Sequence, residues 1–352
     1  MFVYIVLAFS IGFCALSETV NDKLRTQKLL SFGLILYLLV VGLRYWHGDY
    51  GTYEMAFNTG EDVGGDAGYY FAQLLFSEIG VSFQVFVFVI TAVSVYAFRQ
   101  AFRLTLWPSF ALTIVLGKLF TLYAMSGIRQ YIAIAVSWWA VSVLLYNKNR
   151  MLFLLLGLLA TSFHGSAIIV LPLYFVRNLR FNFHNLFVIL LFSYFFGAPL
   201  MKYVAVSSSS DFIDERFASY VLSDAGGMNL INYFENFLFL GLAVLLRKKV
   251  IRKIPYYDFF LYMFVFYCAF LLAGNEVGIV KRLRDYYVFA YAIIVPAFIY
   301  LFEDVRYKQI CKFVTIAYFI FLMFRSLTVY DMPFDAGDYG RMIPYHSIFD
   351  MK

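Results

Sequence analysis

The sequence predicts an all-α, polytopic integral membrane protein, and three observations carry that prediction. Of its 352 residues, 62% are hydrophobic and only 14% charged. Soluble domains carry about 25% charged residues, and no soluble fold could bury this much apolar surface. Apolar runs of about 20 residues recur from one end to the other, each long enough to span a bilayer. The short alternating segments of a membrane β-barrel are missing, and lipid leaves no backbone group unpaired, so the spans are helices. We read residues 1–352 as a single transmembrane domain with outer loops at about 44–82 and 205–228 and an outer tail at 331–352.

The chain in order supports this reading. Residues 1–16 are apolar without a basic n-region, so they read as the first span rather than a cleavable signal. Lys23, Arg25 and Lys28 follow and mark a cytoplasmic loop. Span two, 29–43, leads outward to an acidic segment holding Asp49, Glu54, Glu61, Asp62, Asp66 and Glu78. Within it, 68–79 reads as a helix lying at the interface. Span three, 83–98, returns to Arg99 and Arg103. Span four, 107–124, goes out, a tight turn follows at 125–127, and span five, 128–146, comes back to Lys148 and Arg150.

Residues 150–180 are the stretch that a simple count of spans gets wrong. They form one long apolar run with basic ends and Ser-Phe-His-Gly-Ser in its middle. The basic cluster Arg247 to Lys253 fixes the cytoplasmic end of the span 229–246. Counting back through the span 185–204 places Arg177 and Arg180 on the same side as Lys148 and Arg150. The run therefore enters and leaves by one face, with His164 at its apex. Its arms of about 12 residues reach about 18 Å, short of a core about 30 Å thick. Spans at 256–273, 286–302 and 313–330 complete about ten full crossings plus this short hairpin.

The charges left over are informative. Arg44, Arg129, Arg216, Lys281, Arg282, Arg284, Arg325 and Arg341 fall at outer ends of spans or in outer loops, against the positive-inside bias. Singly, each reads as snorkelling or as half of an ion pair, with Glu235, Glu276 and Asp285 available as partners. As a set they suggest an anionic, phosphorylated, lipid-linked ligand, because guanidinium grips phosphate bidentately and stays charged. The net charge of +6 fits cytoplasmic loops and needs no nucleic acid. Cys14, Cys268 and Cys311 stand singly in apolar runs, and the four histidines lack metal-ligand spacing, so no metal and no cofactor is expected. The 42 Phe and 29 Tyr read as lipid-facing side chains and interfacial belts.

Several short motifs occur in a set order: Arg44, Gly48-Asp49-Tyr50 and Tyr53; Gly127-Ile128-Arg129-Gln130 with Ala133; His164-Gly165-Ser166-Ala167 with Leu171-Pro172; and Pro344-Tyr345-His346-Ser347. In that order they resemble the EpsG family, relatives of the Wzy-type O-antigen and capsule polymerases. The family has one more residue between its glycine and aspartate, whereas here Gly48 abuts Asp49. The resemblance implies a GT-C-like membrane glycosyltransferase architecture and glycosyl transfer at the outer face of the inner membrane. The donor would be a glycan on undecaprenyl pyrophosphate, the acceptor a lipid-linked repeat unit, and a chain-length regulator a further candidate partner. Arg44, Tyr53, Arg129, Gln130, Ser166, Tyr345 and Arg282 or Arg284 would bind the substrate, with Arg216 joining them as an outer arginine. His164 is the first candidate base because imidazole titrates near neutrality, and Asp49 is the second. An envelope ligase or O-acyltransferase is the nearest rival. A polar-lipid flippase ranks lower, because the chain shows one broken segment and no matching one in its other half.

Overall fold

The computed structural model describes residues 1–200, 203, 230–254, 256–274, 278–331 and 341–350. Among these the regular structure is helical, apart from one isolated antiparallel bridge between Arg44 and Ser347. Among the described residues seven helices are long and apolar enough to cross a membrane: Lys23–Gly42, Phe83–Leu104, Ile128–Asn147, Phe183–Leu200, Leu230–Val250, Val280–Tyr300 and Val305–Val329. The shorter apolar helices Phe2–Ser17, Pro108–Ala124 and Tyr257–Ala273 stand where the sequence predicts the other full spans. The protein is thus an all-α, multi-pass membrane protein. Several helices start earlier than expected: span two at Lys23 rather than 29, and the last span at Val305 rather than 313. The helix expected to start at 286 already starts at Gly278, so Lys281, Arg282 and Arg284 lie in its first turns rather than in a loop.

The chain forms two compact units, Met1–Leu171 with Phe302–Lys352, and Pro172–Leu301. In the first, α1 (Phe2–Ser17), α2 (Lys23–Gly42), α5 (Phe83–Ala101), α6 (Pro108–Leu119), α7 (Ile128–Ser142) and α8 (Arg150–Phe163) pack side by side. The last long helix of the chain, Val305–Val329, closes onto α1 and α6. The core sits around α7, where Tyr131 and Trp138 are fully buried against Phe98 of α5. Between α2 and α5 the chain makes two short helices, α3 (Tyr50–Thr59) and α4 (Ala67–Glu78). The second was expected; the first was not.

One end of this unit is closed by capping. Glu18, buried just after α1, accepts the Ser109 and Phe110 amides at 2.7 and 3.2 Å and so caps the start of α6. Lys312, in the last long helix, is buried. It donates to the Glu18 carbonyl at 3.0 Å and lies 4.6 Å from the centre of the Trp107 ring. Asp22 and Asn149 cap α2 and α8 in the ordinary way, accepting from Arg25 and Leu152.

The hairpin has the predicted apex. α8 ends at Phe163, His164 is extended (φ −160°, ψ 117°), and the chain turns back as the 3₁₀ helix Gly165–Val170. The returning arm packs tightly on α8: a Cβ on Gly157 would stand 2.4 Å from a Leu171 methyl.

In the second unit α9 (Leu173–Val176), α10 (Phe183–Phe192), α11 (Leu230–Val250) and α12 (Tyr257–Ala273) precede α13 (Gly278–Arg284) and α14 (Phe289–Tyr300). Arg247, the first residue of the basic cluster, makes two 2.6 Å bonds to Asp258 at the start of α12. Asp258 also accepts the Phe181 amide at 3.1 Å.

Candidate active site

Arg129 organises the uncapped end of the first unit. Gly127 is the N-cap of α7, so Arg129 sits in its first turn and leaves an apolar helix at its terminus rather than its centre. Its Nη1 donates to Asp66 at 2.6 Å, its Nε to the Tyr53 hydroxyl at 3.5 Å, and its guanidinium lies 5.7 Å from the Tyr53 ring centre. Only 16% of the Arg129 side chain and 12% of the Asp66 side chain is exposed, so the pair is shielded and its charges are felt more strongly than at a surface.

Asp66 is the residue the sequence reading passed over. It stands at the N-cap of α4, where an aspartate normally accepts a backbone amide of its own helix, yet it makes no such bond. Its second oxygen accepts the Gly165 amide at 3.0 Å, and so ties the segment between α3 and α4 to the hairpin apex. Burial pushes its carboxyl up, and Arg129 and the Gly165 amide pull it part of the way back. The loop before it passes so close to Arg129 that a Cβ on Gly64 would stand 2.6 Å from Nη1, and Gly65 takes a positive φ of +71°.

At the apex, the Ser166 amide donates to His164 Nδ1 at 3.3 Å, and Ser166 Oγ stands 2.6 Å from the same nitrogen. A ring nitrogen that accepts an amide proton keeps its lone pair, so in the neutral imidazole the proton sits on Nε2. His164, Ser166, Gly165, Asp66, Arg129 and Tyr53 therefore form one connected group.

Asp49 lies beside this group rather than in it. The Ser126 hydroxyl donates to its Oδ2 at 3.0 Å, and its own amide donates to Ser126 Oγ at 3.3 Å. Gly48, just before it, has φ +57°, and a Cβ on it would lie 2.5 Å from Ser126. The carboxylate paired with Arg129 is Asp66. Gln130 is buried in the same turn as Arg129.

Arg44 and Tyr345 make a second centre. Arg44 is 3% exposed, its Nη1 donates to the Val41 carbonyl at 2.5 Å, and its Nε has no partner among the described residues. The Tyr50 and Tyr69 hydroxyls are likewise buried without a partner among those residues. The chain's tail closes over this arginine. Ser347 bridges Arg44, the Tyr45 amide donates to the His346 carbonyl at 2.9 Å, and the Tyr345 hydroxyl donates to the Val40 carbonyl at 2.8 Å. His47 is the clamp. Its Nε2 accepts the His346 amide at 3.0 Å, its Nδ1 donates to the Arg341 carbonyl at 2.8 Å, and its ring stacks on Tyr345. Burial lowers the His47 pKa to about 4, so the clamp is a neutral imidazole. Tyr69 joins the two centres: its ring meets Tyr53, and both guanidiniums offset the burial that raises its phenol.

Arg282 and Arg284 belong to the second unit, where Arg284 pairs with Asp285 at 3.0 Å and lies 5.2 Å from the Tyr267 ring centre. Arg216 lies outside the described residues.

No curated protein and no solved structure matches the chain. A family model does: that of the EpsG family matches residues 28–347, from within α2 to the clamped tail. The match takes in Arg44, Arg129, the hairpin apex and Tyr345, and the chain, a polysaccharide-polymerase-like multi-pass membrane protein, belongs to the EpsG family.

Proposed function

We propose that this protein is a membrane glycosyltransferase that polymerises a bacterial surface polysaccharide. It transfers an undecaprenyl-pyrophosphate-linked glycan onto a lipid-linked repeat unit at the outer face of the inner membrane, in the assembly of O-antigen, capsule or exopolysaccharide. The observation that carries this reading is Arg129, a shielded cation at the mouth of an apolar helix, joined through Asp66 to a hairpin apex that holds a histidine.

The chemistry follows from these groups. The acceptor sugar hydroxyl attacks the anomeric carbon of the donor, the bond from that carbon to the pyrophosphate oxygen breaks, and the electron pair leaves with the lipid pyrophosphate. Negative charge grows on that leaving group, and Arg129 and Arg44 are donors fixed before the reaction begins. Arginine supplies the positive charge, so the step needs no metal. The acceptor proton passes to Ser166 Oγ as the Ser166 proton moves to His164 Nδ1, the nitrogen whose lone pair is available. Asp49, held by Ser126, is the alternative base. Tyr53, Gln130 and Tyr345 line the substrate path, and the unmatched Arg44 Nε and the Tyr50 and Tyr69 hydroxyls are polar groups that a bound substrate would satisfy.

The test is extension of a defined lipid-linked repeat by the purified protein in lipid nanodiscs. The expected result is a ladder of polymer with one lipid pyrophosphate released per unit added. Release of free glycan by hydrolysis, or movement of the lipid without a new linkage, would contradict the proposal.

A further inference from the structure

Asp66 sits where a helix cap should be and caps nothing. Both of its oxygens are spent on groups outside its own helix. One accepts from Arg129 Nη1 at 2.6 Å and the other from the Gly165 amide at 3.0 Å. A guanidinium and a backbone N–H converging on two oxygens of one anion is the donor set that holds a phosphoryl group. The Tyr53 hydroxyl, 3.5 Å from Arg129 Nε, adds a third donor at the same place.

The segment that delivers Asp66 is a short, glycine-flanked loop. Gly60 ends α3, and Gly64 and Gly65 directly precede Asp66. Asp62 folds the loop on itself, accepting the Gly64 and Gly65 amides at 3.0 and 2.9 Å, so the loop has internal order of its own. Below it Gln73 donates to the carbonyls of Ala56 and Glu61, both at 2.9 Å, and pins the base of the loop to α4. The loop is held at its base, while its Asp66 end is held by the two bonds to Arg129 and Gly165.

We infer that the Asp66 carboxylate is a built-in stand-in for a phosphoryl group of the substrate, held between Arg129 and the Gly165 amide, and that an arriving pyrophosphate displaces it and swings the 60–66 loop aside. This rests on the reading of Arg129 as a pyrophosphate ligand. It adds the Gly165 amide as the second ligand and assigns the loop as the gate. The stand-in keeps a shielded guanidinium paired while the site is empty, which avoids the cost of an uncompensated buried charge. It also sets a threshold, because only a stronger anion than a carboxylate displaces it.

The probe is inorganic pyrophosphate, titrated onto the purified full chain and its Asp66→Asn, Asp66→Ala and Arg129→Ala variants. Asp66→Asn keeps an acceptor for the Gly165 amide, so it guards against a variant that simply fails to fold. Both Asp66 variants are expected to bind pyrophosphate about tenfold more tightly than the wild type, since no internal anion has to leave first. Hydrogen exchange of the wild type should show the 60–66 amides less protected when pyrophosphate is bound. Arg129-dependent binding that is unchanged or weaker in both Asp66 variants, with no change in the loop, would overturn the stand-in and leave the pyrophosphate site intact. Binding that survives Arg129→Ala, or binding by none of the proteins, would overturn both.

Discussion

The two ends of the first unit treat charge in opposite ways. At one end Glu18 and Lys312 are buried and completely employed: the carboxylate caps α6, the ammonium holds the Glu18 carbonyl, and Trp107 covers it. At the other end Arg129 is paired through a loop flanked by glycines, and the buried Arg44 Nε and the Tyr50 and Tyr69 hydroxyls have no partner among the described residues. A buried charge without fixed partners costs several kcal/mol, so a fold retains one where something else gains by it. The difference separates charges that build the bundle from charges that wait for a substrate, although both kinds look alike in the sequence.

That contrast can be broken by substitution, beginning with the largest effect. Arg129→Ala should lower chain extension by about 10²–10³-fold, the usual loss when one preorganised donor to a developing anion is removed. Polymer length in cells, read beside the amount of inserted protein, checks it; normal length would sink the role of Arg129. Glu18→Ala strands the Ser109 and Phe110 amides, while Lys312 keeps its bond to the residue-18 carbonyl, and should destabilise the protein by about 3 kcal/mol. Its thermal unfolding in detergent should show a lower Tm with unaltered activity per folded molecule. His164→Ala should reduce turnover by about 10²-fold while leaving donor binding nearly unchanged. Equal loss of both would make the histidine structural.

A smaller, pH-dependent effect tests the clamp over Arg44. The folded His47 pKa of about 4 lies below its ordinary 6.5, so the unfolded chain binds the extra proton first. The stability that His47 contributes is complete above pH 6.5. It falls as pH drops from 6.5 to 4, by about 1.4 kcal/mol per unit, and is flat below. Unfolding measured across that range should show the slope in the wild type and lose it in His47→Phe. Tyr53→Phe removes one hydrogen bond to Arg129 and should cost about 1 kcal/mol, or about fivefold in extension. An unchanged rate would take Tyr53 out of the site.

Much of the fold was legible because a bilayer imposes a strong rule on length and apolarity, residue by residue. The spans, the 125–127 turn and the hairpin apex at His164 follow from that rule and from loop charge. Short α3 did not show, since Tyr50–Thr59 is mixed in polarity and depends on packing against α4 and α5. The site was legible in part. Arg129, His164 and Tyr345 stood out as polar groups in apolar or ordered settings. Asp66 did not, being one acid among six in a loop, and its partners are 63 and 99 residues away. The burial of Lys312 was not legible for the same reason: its partner Glu18 is 294 residues distant. The tail motif was visible, but its docking on Arg44 through His47 was not.

The most direct test compares the two ends in one assay. Extension of a lipid-linked repeat is measured for purified Arg129→Ala and Glu18→Ala, each normalised to its folded fraction. The account predicts near-complete loss for Arg129→Ala and wild-type turnover per folded molecule for Glu18→Ala. Full activity in Arg129→Ala, or equal losses in both variants, would contradict it.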